Sequence, residues 1–278
     1  MKLKMKLMAA AIALVAASGA NAAITTSSSG NGELFFTIYD QGADLSSAAD
    51  DRAYVRDLGS LLNGGTMNDW TNNSAITSPS PTLSANKQAL GTIYSIAADA
   101  NLQSFLAAST DTSRLQWNVA AVDTSGSDRL LTTAGSISAA QLPNYNVFRT
   151  FGAAGADIYL AAMNPALTGE SALYSGAAAG VSKWGNNIGG KTLFSNAASL
   201  GDSMGFYLLS EKVASGSTTT IATLQQYMAS PTVQMDWTLS DQGVLTVAAI
   251  PEPSEYALML AGLGMLGFMA RRRLNNRA

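Results

Sequence analysis

Asp40, Asp44, Asp50, Asp51 and Asp57 fall close together in the chain, and two carboxylates with separated pKa values are all that glycoside hydrolysis asks of a protein. Paired carboxylates are also the one acid-base system open to it. The 278 residues include no histidine and no cysteine, which excludes Ser-His-Asp and Cys-His nucleophiles and zinc sites built on those ligands. Disulfides and iron-sulfur clusters are excluded by the same count. Acidic residues near strand ends more often serve as solvated loop charges or cation ligands. Asp40-Gln41-Gly42-Ala43-Asp44 and the stretch from Asp123 to Asp128 place oxygen ligands on turn segments, so Asp40, Asp44, Asp123 and Asp128 are candidate ligands for calcium, although neither run has the EF-hand spacing. No other cofactor is expected.

Gly201-Asp202-Ser203-Met204-Gly205 matches the G-x-S-x-G pattern of a nucleophile elbow. Such a serine needs a base, and with no histidine in the chain the segment reads as a glycine-bounded turn before a strand. No catalytic residue is assigned, and the expectation is a protein that is not an enzyme. Trp70 and Trp184 lie in asparagine-rich runs, the setting in which an aromatic ring stacks on a sugar; the alternative is a loop pinned by its tryptophan at the core edge. Trp117 and Trp237 sit in strand-like segments and are expected in the core.

The two ends carry an address. Lys2, Lys4 and Lys6, an apolar run from Leu7 to Ala17 and the pair Ala20 and Ala22 form a secretory signal that signal peptidase would cut before Ala23. At the other end come Pro251-Glu252-Pro253, an uncharged stretch from Tyr256 to Ala270, and Arg271, Arg272, Arg273 and Arg277. That stretch is a transmembrane helix of marginal length, roughly 22 Å at ~1.5 Å per residue. Its arginines are expected to stay on the cytoplasmic side. Gly262-Leu263-Gly264-Met265-Leu266-Gly267 imitates a dinucleotide fingerprint, but no strand precedes it and no acidic residue follows it.

The proline-glutamate-proline motif, short glycine-rich apolar helix and arginine tail, in that order over residues 250–278, resemble the PEP-CTERM sorting signal of Gram-negative bacteria. The resemblance implies export, transient retention in the inner membrane, recognition by a membrane processing enzyme called exosortase, and release toward the cell surface or extracellular matrix. It also implies an association with exopolysaccharide and biofilm. The chain is thereby divided into a signal peptide (1–22), an exported body (23–249) and a sorting segment (250–278).

Seven of the 16 basic residues and two of the 19 acidic ones lie in the terminal segments, which leaves nine against seventeen and a net charge of about −8 over residues 23–250. A body so acidic offers no basic stripe to nucleic acid. Its apolar patterning predicts strands over 33–39, 53–58, 115–122, 129–133, 205–209, 233–239 and 243–247, the last two joined by a turn at Ser240–Gly243. A short helix is predicted over 99–108, a second helix over 153–163 whose Asp157, Ile158 and Tyr159 read equally as a strand, and irregular chain over 66–84 and 171–190. With few helices and no repeat, the predicted fold is mainly β: a single antiparallel β-sandwich with a few short helices.

Overall fold

The computed structural model describes residues 23–26, 31–40, 42, 49–59, 91–124, 128–142, 157–167, 169–175, 194–210, 222–230, 233–251, 260–266 and 269. The protein is mainly β. Its strands are β1 (Phe35–Asp40), β2 (Arg52–Asp57), β3 (Gly91–Ile96), β4 (Leu115–Asp123), β5 (Arg129–Ala134) and β6 (Ser171–Ser175). They continue with β7 (Ala198–Ser199), β8 (Ser203–Ser210), β9 (Thr223–Gln226), β10 (Met228–Ser230), β11 (Val233–Leu239) and β12 (Leu245–Pro251). Two helices, α1 (Ala100–Ala108) and α2 (Asp157–Met163), accompany them.

All of these strands join one sheet, in the order β3-β12-β11-β8-β5-β4-β1-β2-β6, with β7, β9 and β10 pairing off this path onto β4, β8 and β11. The pairings are antiparallel. The two facing sheets of a sandwich are replaced by a single sheet that curls on itself. The reason lies in the side chains. Alternation along β1 sends Phe36 and Ile38 to one face and Phe35 and Tyr39 to the other, and both faces are buried. The first face gathers Tyr54 of β2, Trp117 of β4, Phe206 of β8, Trp237 of β11 and Val247 of β12 into one cluster. Strands at opposite ends of the path meet in that cluster only if the sheet bends around it, so this is the concave face. Phe206 packs there between Tyr227 and Trp237, with ring centroids 5.3 and 5.4 Å away.

The convex face is covered by α2, whose Tyr159, Leu160 and Met163 pack on Phe35, Val55 and Leu130. The Tyr159 hydroxyl sits 2.7 Å from the Thr37 hydroxyl, and its burial raises its pKa, so it remains a neutral hydrogen-bonding group. Ile24 is fully buried in the same cluster, and its backbone N–H and C=O bond the Asn164 side-chain amide. The chain is therefore tied into the body two residues beyond the predicted signal cleavage.

The path ends, β3 and β6, are bridged by α1. Asp99 caps this helix, accepting from the Leu102 amide at 2.8 Å, and Leu102 and Phe105 turn into the concave cluster. The other carboxylate oxygen of Asp99 accepts from the Tyr54 hydroxyl at 2.9 Å, while Arg56 donates to the Ala97 carbonyl and Asn101 to Ser171. Burial and the Asp99 charge hold the Tyr54 hydroxyl far above its ordinary pKa, which keeps it a donor. On the other side of the seam Gly243, at φ +76°, makes the β11–β12 turn, and a Cβ there would stand 2.9 to 3.1 Å from Leu106, Ala98 and Leu102. Both the positive φ and the close approach require glycine.

The predicted strands correspond to β1, β2, β4, β5, β8, β11 and β12. The prediction of irregular chain from Ser171 is corrected at its start: Ser171–Ser175 is β6, an edge strand whose small residues and half-exposed Leu173 gave little pattern to read.

Candidate functional site

Strand polarity places the described candidates Asp40, Asp123 and Ser203 at one or the other of two ends of the sheet. Asp40 pairs in register with Arg52, Arg52 with Ser175, and Asp40 also with Leu115, which defines one end. Asp123 pairs with Arg129 and Arg129 with Ser210, which defines the other. Following β8 to β11 and β12 carries Val233 and Pro251 to the Asp123 end, and Ser203, Leu239 and Leu245 to the Asp40 end.

At the Asp123 end the body runs straight into the sorting residues. β12 continues through Pro251, which pairs with Val233, so the first proline of the motif occupies the last position of the ladder. A proline there is tolerated because it ends the strand. Downstream, residues 260–266 are helical, and Leu260, Leu263, Met265, Leu266 and Met269 are 56 to 66% exposed. Among the described residues the body contributes just one large apolar side chain of this kind, Leu173. Apolar surface concentrated on one short helix marks it for an apolar partner. No helix among the described residues is long and apolar enough to cross a membrane. Ala20, Ala22, Glu252, Pro253, Arg271, Arg272 and Arg273 lie outside the described residues.

At the opposite end Asp40, 2% exposed, accepts from Arg52 at 2.9 Å and from the Gly42 amide at 3.1 Å, with Arg114 3.6 Å away. Arg52 also donates to the Ser109 hydroxyl and lies over the Phe105 ring, 5.5 Å from its centroid. Asp40, Gly42, Arg52 and Arg114 border a cleft of about 430 Å³ with Asp50, Asp51, Thr110 and Ser175. Gly42 at φ +71° makes room for the Asp50 carboxylate, which lies 2.3 to 2.5 Å from where a Cβ would stand.

The carboxylates proposed as cation ligands are thus separated. Asp40 is held by arginine, and Asp123, fully buried, bonds Arg129 at the far end of the sheet. Asp128 is buried beside Arg129 in sequence, and Asp44 lies outside the described residues. No group of three acidic side chains among the described residues is placed to hold a metal ion. Trp70 and Trp184 also lie outside the described residues, whereas Trp117 and Trp237 are fully buried in the concave cluster. Sequence reasoning missed the arginines. Their signal was an aspartate ending one strand and an arginine opening the strand it pairs with, at Asp40/Arg52 and Asp123/Arg129.

Ser203 opens β8 after a turn made by Gly201 at φ +81°, as the turn reading expected. Its hydroxyl bonds the Asp236 carboxylate across the β8–β11 pair. Burial raises the Asp236 pKa, and the Ser203 bond offsets part of that rise.

A folded antiparallel β body that ends in a strand, followed in sequence by an exposed apolar helix, has the build of an exported precursor with a removable tail. Residues 249–273, about a tenth of the chain, match the PEP-CTERM protein-sorting motif, which implies an exported protein processed by exosortase. No characterised protein and no solved structure matches the chain.

Proposed function

We propose that the protein is a non-enzymatic component of the cell surface or extracellular matrix, anchored briefly in the inner membrane by its sorting helix and released by exosortase. After release it acts by contact with extracellular polysaccharide. The observation that carries this reading is the polarity of the sheet: the sorting motif leaves from the Asp123 end, and the two clefts bordered by Asp40 and by Ser203 lie toward the Asp40 end. With its tail held at a membrane, the body presents those clefts outward. The acidic body, about −8 in net charge, supports a soluble extracellular state and disfavours nucleic acid.

The rival reading, a secreted carbohydrate-active enzyme working through two of the clustered aspartates, is weakened where Asp40 is bound by arginine. Calcium remains a proposal for the turn carboxylates. Fractionation of the producing cell tests the main reading. The expected result is a shortened form at the surface or in the medium that no longer carries the arginine tail, and full-length protein confined to the cytoplasm would overturn it. Release of reducing sugar from the cell's own polysaccharide by the purified protein would favour the rival.

A further inference from the structure

Above the end of β5 the sheet has a gap. β5 stops at Ala134, while β4 and β8 run on past it, and the space between them is filled by the segment carrying β7, which pairs at Gln116 and Trp117. The Trp117 indole fixes this segment by donating to the Ser199 carbonyl at 2.9 Å, and the Gly201 amide ties it to the Leu239 carbonyl at 2.8 Å. What results is a cleft of about 710 Å³, bordered by Gln116, Gln141, Ser136, Ser199, Asp202 and Ser203 among others.

The chemistry of this lining is selective. Among the described residues it combines two amides and four hydroxyls with one carboxylate, two alanines and a methionine, and includes no cation to neutralise a phosphate, sulfate or uronate. It is too polar for a lipid or a drug-like apolar molecule. Neutral donors and acceptors in this density match a ligand that is itself dense in hydroxyls. Two groups are already oriented: the Gln116 carbonyl oxygen is held by the Tyr39 hydroxyl at 2.6 Å, which leaves its NH2 to donate, and Ser203 is oriented by Asp236. Two residues along β4 from Gln116 on the same face, Asn118 is fully buried and neither of its side-chain polar atoms has a hydrogen-bond partner among the described residues, although it does not border the cleft itself.

We propose that this cleft binds a neutral polyhydroxylated ligand, one or two sugar units of an uncharged polysaccharide, through Gln116, Ser199 and Ser203. The proposal rests on the surface-protein reading for its biological setting and deepens it by naming a site and a ligand class. Gly135 supplies the means of testing it. It borders the cleft, and a Cβ added there meets nothing within 4 Å, so Gly135→Trp starts without a backbone clash and is expected to place its ring at the cleft.

The full-length precursor, purified in detergent, is titrated by calorimetry with maltohexaose, cellohexaose, laminarihexaose and xylohexaose, and with polygalacturonate as the anionic comparison. At least one neutral hexasaccharide is expected to bind. Gly135→Trp should abolish that binding with an unchanged melting temperature, and Ser203→Ala should raise Kd on the order of fivefold, the loss of one hydrogen bond. The proposal fails if no neutral sugar binds the folded precursor, if polygalacturonate alone binds, or if Gly135→Trp binds as the parent does. Failure here leaves fractionation and tail removal unaffected, so the two readings fall separately.

Discussion

Asp40 closes the β1–β2 hairpin on Arg52 at one end of the sheet, and Asp123 closes the β4–β5 hairpin on Arg129 at the other. The two pairs share their geometry: an acid at the last position of a strand faces the arginine that opens the next. They differ in surroundings. Asp40 has a second arginine, Arg114, within 3.6 Å and borders an open cleft, whereas Asp123 is 0% exposed at the end from which the sorting segment leaves. One ion-pair device closes hairpins at both ends, and at the open Asp40 end a second arginine stands beside the acid.

Truncation should separate the ends most sharply. A chain stopped after Pro251 keeps the whole of β12 and is expected to fold, as judged by near-UV circular dichroism, while one stopped after Val244 loses the strand lying between β11 and β3 and is expected not to. The arginines come next. Arg129→Ala removes the guanidinium from a fully buried carboxylate and should cost about 3–5 kcal/mol in urea unfolding, the usual penalty for breaking a buried pair. Arg52→Ala should cost less, because Arg114 remains beside Asp40; equal losses would erase the distinction between the ends.

Gly243→Ala, at the turn where α1 packs, combines a positive φ with close contacts and should cost about 1–3 kcal/mol by the same measurement. The smallest effect is pH-dependent. Because the folded state raises the Asp236 pKa, the folded state holds its proton more tightly than the unfolded chain, and stability falls as pH rises through the folded value. Asp236→Asn should therefore raise the melting temperature at pH 7 and leave it unchanged near pH 3, and a larger gain at acid pH would contradict the assigned environment.

Much of this architecture was legible in the sequence. Alternation and turn chemistry located β1, β4, β11 and the glycine turn at Gly243, because each is a local pattern read over a few residues. The sorting motif was legible for the same reason, as three features in fixed order. The curl of the sheet was not, since Tyr54 and Val247 are nearly two hundred residues apart and nothing local says that they share a cluster. Nor was the partnership of Asp40 with Arg52, where the acid alone resembled a cation ligand and only the register reveals the arginine opposite. The cleft beside Ser203 was invisible because it is a gap between strands, built from residues of four separate segments.

The placement of β12 has a mechanical consequence. A load on the sorting segment pulls along the axis of a strand stitched on both sides, seven positions to β11 and five to β3. Force in that direction shears those pairings together and cannot peel them one at a time. The body can thus be held by its tail, and cut from it, without the pull unravelling the sheet from its last strand.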